Sequence, residues 1–99
     1  MIVARVLGTV VCTQKDHKLE GAKLHLVQAV DYLTLKGEGK PLVAVDSVGA
    51  GQGEIVLVVA GSSARQTSQT QNTPVDAVIM AIVDTIDMEG QTVYRKDAH

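Results

Sequence analysis

The apolar residues of this sequence are small or β-branched, and this limits the fold more than any other feature. Sixteen Val and five Ile carry most of the burial, while Phe and Trp are absent and Tyr32 and Tyr94 are the two aromatics. β-Branched side chains lose rotamer freedom in a helix and fit a pleated surface well, so the composition predicts strands. Apolar residues make up 45% of the chain, too many for a disordered segment.

Length sets the next constraint. Ninety-nine residues make one compact domain, expected over 1–99, with little core to spare. Domains of this size are usually supported by disulfides, metals or self-association. Cys12 has no partner cysteine, and His17, His25 and His99 are not at metal-ligand spacing, so no metal or cofactor is expected. Oligomerisation remains. The lone cysteine and the lack of a signal-peptide pattern suit a reducing cytosol. No apolar run approaches the roughly 20 residues of a spanning helix, and no membrane partner is expected. A net charge of −2 gives no electrostatic reason to expect nucleic acid.

Along the chain, Ile2 to Thr13 reads as a long strand bent at Gly8, where a missing side chain permits a bulge. Gln14 to Gly21 reads as a solvated loop of mixed charge. Lys23 to Tyr32 is a strand with Leu24, Leu26, Gln28 and Val30 on one face and His25, Val27, Ala29 and Asp31 on the other. Lys36 to Pro41 is a glycine-rich hairpin connection, and Leu42 to Val48 is a short strand. Glu54 to Ala60 is apolar on both faces and predicts a strand covered on both sides. A short helix is expected from Gly61, with Ser62 or Ser63 as its N-cap, followed by a polar loop from Thr67 to Thr73. Val75 to Met88 favours a strand, and Thr92 to Lys96 is a short C-terminal one. The fold expected from this pattern is mainly β: five or six strands separated by turns, with one short helix, in a small antiparallel barrel or sandwich.

Few residues suggest chemistry. Gly49-Ala50-Gly51-Gln52-Gly53 has glycines at alternate positions, but it lacks the G-x-G-x-x-G spacing and the following helix of a dinucleotide site. It reads either as a flexible turn or as backbone that must approach something closely, a ligand or a symmetry axis. Asp46 and Glu54 flank it without a third group to orient them as a catalytic pair. His25 is expected to face solvent or make a hydrogen bond, and Cys12 to be a small core residue. An OB-type single-stranded nucleic-acid binder is the alternative function, and the scarcity of aromatics for stacking counts against it.

Several segments in order carry a resemblance. They are Gly8-Thr9-Val10-Val11, Thr13-Gln14-Lys15-Asp16, Leu19 with Gly21, and Lys23-Leu24. Asp46-Ser47-Val48-Gly49-Ala50-Gly51, Gly53-Glu54, Gly61-Ser62-Ser63-Ala64-Arg65 and Pro74-Val75-Asp76-Ala77 follow. Ile82-Val83-Asp84-Thr85-Ile86 and Tyr94 with Lys96 complete the series. Together they resemble the EutN/CcmL family, the vertex proteins of bacterial microcompartment shells.

The resemblance implies that the fold is a small five-stranded OB-like antiparallel barrel with one short helix and a short C-terminal strand. It implies that the protein has no enzymatic activity and forms a homopentamer that caps five-fold vertices and supplies curvature. It also implies hexameric and trimeric shell proteins as partners and a location in the bacterial cytoplasm, within the shell. A closed ring presents two different surfaces of each subunit, so part of the run Ile55 to Ala60 is expected against a neighbour. Gly49, Ala50, Gly51, Gln52 and Gly53 are expected around the five-fold axis. Ser62, Ser63 and Arg65 are expected at the subunit interface, where Arg65 offers its fork of donors.

Overall fold

The computed structural model describes residues 1–61 and 76–97. Seven strands follow in order: β1 (Ile2–Val10), β2 (Leu24–Ala29), β3 (Leu42–Asp46), β4 (Ile55–Ala60), β5 (Ala77–Ile82), β6 (Thr85–Met88) and β7 (Gln91–Arg95). The first five close into a barrel in the order β1-β2-β3-β5-β4, and β6 and β7 form a separate two-stranded sheet. The expected five-stranded barrel is therefore present. It is mixed rather than purely antiparallel, because β3 pairs parallel with β5 through Val45 with Val78 and Asp46 with Ile79. The chain leaves β3, adds β4 beside β1, and returns along β5; closure then brings β3 and β5 together in the same direction.

The narrow lumen explains the composition. Barrel diameter grows with strand number, and even eight strands leave only enough room for side chains to fill the interior. Here Ala4, Val6, Val27, Ala44, Ala50, Val56, Val58, Ala77 and Ile79 fill it, with Ile2, Leu42 and Ile82 packed against them. All of the buried set except Ile79 are Ala or Val, so a ring the size of Phe would overpack the lumen. A second cluster lies at the β3–β5 seam, where Leu19 and Leu24 pack on Val45 and Val78.

The expected bend in β1 is a register shift between Val6 and Gly8 against β2. β4 is as apolar as its sequence, with Ile55, Val56 and Val58 fully buried by the chain itself. Its Leu57 and Val59 are half-buried, so only these two in the middle of the strand have surface left for a neighbour. The long run ending at Met88 breaks after Ile82. The Val83 amide donates to Ile55 O (2.8 Å) as the chain leaves the barrel. A turn with positive φ at Glu89 (52°) and Gly90 (80°) then reverses it into β7.

The described short helix is a 3-10 turn, His17–Leu19, within the segment read as loop. Asp16 caps it by accepting from the Lys18 amide (2.9 Å). The helix expected after Gly61, the loop Thr67 to Thr73, and Ser62, Ser63 and Arg65 lie outside the described residues. Cys12 differs from its expected core position: it lies half-buried beyond the end of β1. No helix among the described residues is long and apolar enough to cross a membrane.

Candidate functional site

The loop from Gly49 to Gly53 links β3 to β4 at one end of the barrel, and it is held rather than free. Ala50 is 2% exposed and plugs the lumen, while Gly49, Gly51, Gln52 and Gly53 are exposed. The loop is thus anchored by its one methyl group and presents backbone outward. Gly49 (φ 79°) and Gly53 (φ 87°) adopt the left-handed conformation that a side chain disfavours. Neither is crowded within the chain, since a Cβ at either would meet nothing within 4 Å. Their glycines serve the backbone conformation.

Two carboxylates organise the loop from its two ends. Asp46 Oδ1 accepts from the amides of Val48 and Gly49, both at 2.9 Å. Asp46 Oδ2 lies 2.8 Å from His25 Nε2, with both side chains shut off from solvent. A carboxylate only accepts, so Nε2 carries the proton, and Nδ1 faces the Thr9 hydroxyl at 3.4 Å. Burial pushes the Asp46 carboxyl up, but the bonds from Val48, His25 and Gly49 outweigh it and leave the pKa below the usual value. His25 is therefore the hydrogen-bonded residue of the two expected possibilities. Alternation along β2 places it with Val27 among the buried positions of the strand.

At the other end, Glu54 Oε1 accepts from the Gly51 amide (2.5 Å), and Glu54 Oε2 pairs with Lys96 Nζ (2.9 Å). Lys96 first, and then the Gly51 amide, lower the Glu54 pKa, and the same carboxylate raises that of Lys96. Arg5 adds a brace that sequence reading missed. Its Nη1 donates to Gly53 O (3.4 Å) and its Nη2 to Leu35 O (3.2 Å), joining this loop to the β2–β3 connection. The Gly53 amide donates to Val6 O (2.8 Å). An Arg amid inward-outward alternation on β1 was the available signal.

These bonds decide what the site does not do. Asp46 is buried with both oxygens engaged, and Glu54 is held by a lysine and a backbone amide, so they are not an acid–base pair facing a substrate. Among the described residues no group of three or more His, Cys, Asp or Glu is placed to hold a metal. Tyr32 lies in the β2–β3 connection and Tyr94 on the hairpin, so the barrel strands offer no aromatic platform for nucleic-acid bases.

Comparison with known proteins agrees with this architecture. The family model described as "Ethanolamine utilisation protein EutN/carboxysome" matches residues 1–84. The carboxysome shell vertex protein CcmL of Nostoc sp. is 47% identical over 96 residues, covering 97% of this chain and 95% of that protein. Its solved structure superposes with a TM-score of 0.90 at 49% identity, covering 97% of this chain and 100% of the other. The shell vertex protein EutN of Escherichia coli is 42% identical over 96 residues, covering 97% of this chain and 100% of EutN. A pentameric microcompartment shell protein, GrpN of Rhodospirillum rubrum, superposes with a TM-score of 0.79 at 44% identity, covering 89% of this chain and 99% of GrpN. With a closed barrel matched in order, sequence and shape across nearly its whole length, this chain belongs to the EutN/CcmL family.

Proposed function

We propose that this protein is a structural shell vertex protein that acts as one domain over 1–99. Five copies form a closed ring, which caps a five-fold vertex of a bacterial microcompartment and lets its flat facets curve shut. The observation that carries the reading is the superposition, over 97% of the chain, on a solved carboxysome vertex protein. The pentamer comes from GrpN. The described geometry agrees with a role in which shape is the product: the barrel is filled, its buried polar groups are paired, and no open catalytic constellation faces solvent among the described residues. The ring sits in a shell within the bacterial cytoplasm, where its partners are hexameric and trimeric shell proteins.

Within the ring, Gly49 to Gly53 is assigned to the five-fold axis. A loop held at its two ends by Asp46 and Glu54 and anchored by the buried Ala50 methyl is suited to convergence of five copies, because its exposed glycines present no side chain. Ser62, Ser63 and Arg65 are assigned to the subunit interface. Native mass spectrometry tests both levels. The wild type is expected at roughly 52 kDa, five chains of 10.5 kDa. Gly51→Asp puts five like charges around one axis and is expected to weaken the ring, most at low salt. Arg65→Ala is expected to shift pentamers to smaller species. A monomeric wild type refutes the function; an unaltered Gly51→Asp pentamer refutes the placement of the loop.

A further inference from the structure

The hairpin β6–β7 is the part of the molecule that the barrel does not explain. It begins at Thr85, beyond the 1–84 span matched by the family model, and it makes no ladder with a barrel strand. A two-stranded sheet alone is marginally stable in water at best. Its pattern is amphipathic. Ile86 stands opposite Tyr94 and both are half-buried, as is Met88, whereas Thr85, Asp87, Thr92 and Arg95 are exposed. The tip reads Asp87-Met88-Glu89-Gly90, a methionine between two acids on a turn with positive φ.

A surface of the opposite character lies across the ends of β1 and β2. A cavity of about 190 Å³ is lined there by Val10, Val11, Cys12, Lys15, Lys23 and Leu24, among others. Its lining residues include two lysines and no Asp or Glu. Val11 is 83% exposed, the most exposed large apolar side chain of the described residues. Lys15 Nζ donates to the Cys12 carbonyl at 3.4 Å, and Lys23 makes no ion pair among the described residues.

We propose that the Asp87–Glu89 tip of one subunit docks into the Val10–Leu24 cavity of the next, with Met88 as the apolar anchor and Lys15 and Lys23 facing Asp87 and Glu89. The occupant is a second copy of this chain, and the proposal rests on the ring reading above. Charge supports it, since an acidic tip meets a cavity whose charged lining is entirely basic. The thioether is unbranched and adapts to an irregular cavity. Symmetry is compatible with it: the tip and the cavity are different surfaces, so the contact runs head to tail, the kind that builds a ring when its rotation closes.

Cys12 makes the test direct. Met88→Cys adds a second thiol, and oxidation with diamide is expected to join the thiol introduced by that substitution to Cys12 of the neighbour. A non-reducing gel should then show a ladder from dimer to pentamer that collapses on reduction. Monomer alone, or a ladder that stops at dimer, overturns the contact. A charge swap provides the second reading. Lys15→Glu with Lys23→Glu is expected to weaken pentamer assembly by about tenfold or more, as is Asp87→Lys with Glu89→Lys. The four changes combined should recover most of the loss, and no recovery overturns the proposal. A wild type that is not a pentamer fails the ring reading itself, and native mass spectrometry separates that outcome from the others.

Discussion

Replacing Asp46 by Ala removes three hydrogen bonds at once, and their geometry fixes how large the loss should be. His25 Nε2–H loses its acceptor at 2.8 Å inside a site where the ring is 2% exposed. A stranded buried donor costs about 1–3 kcal/mol. The amides of Val48 and Gly49 also lose a charged acceptor at 2.9 Å, but these sites are only partly buried and water can replace it. They add about 1–2 kcal/mol together, and relief of the carboxylate's own desolvation offsets part of the total. The expected net loss is about 2–4 kcal/mol, a large share of the roughly 5–15 kcal/mol of a typical domain. Asp46→Asn keeps an acceptor for the two amides, and His25 can change tautomer to accept from the new amide group. Its expected cost is about 1–2 kcal/mol. Urea unfolding followed by far-UV circular dichroism measures both, at one protomer concentration because assembly shifts the apparent stability. An Asp46→Ala loss below about 1 kcal/mol refutes the view that this carboxylate organises the loop. Equal losses for Ala and Asn refute the division between the His25 and backbone bonds.

The other expectations follow from neighbouring contacts. Because the Asp46 pKa is lowered on folding, its contribution is present above the unfolded value and lost as pH falls through the folded one. Urea resistance of the wild type should therefore fall below about pH 4, and Asp46→Asn should flatten that limb. Gly37→Ala places a methyl group against the Gln28 amide, whose Nε2 donates to Gly39 O at 2.8 Å. The expected loss is about 1 kcal/mol, and Gln28→Ala should reduce the further cost of Gly37→Ala in a double-mutant cycle. Glu54→Gln breaks the pairing with Lys96 near the start of β4; amide exchange at Gly51 should quicken while the barrel strands stay protected, and equal loss of protection throughout counts against a local role.

Much of the fold was legible because the strand signal is local. Alternation along residues 24–29, the unbroken apolar run at 55–60 and the glycine at the β1 bulge each report a backbone geometry that neighbouring residues alone select. The same holds for the loop glycines, for which the chain itself supplies one reason. Close approach was one expectation for Gly49 and Gly53, whereas within the chain they are needed for positive φ, and Gly37 is the glycine pressed by a side chain. Conformation and crowding both select glycine, so its presence cannot tell them apart. The 3-10 turn at 17–19 was missed because three residues show no periodicity, although Asp16 ahead of Lys18 was a capping signal.

Sequence alone determined that this chain builds strands and that its buried surface comes mostly from small or β-branched side chains; the closed barrel shows why, since its narrow lumen has no room for large rings. The order of its segments determined the family. Tertiary structure decided what local pattern cannot encode: that β3 meets β5 in parallel, that Asp46 serves His25 and two loop amides together, and that Arg5 braces two connections. It also separated the C-terminal strand from the barrel and paired it with β6. Most of these contacts join residues far apart in the chain. A side chain's own neighbours set its direction, but barrel closure sets which distant partner waits there.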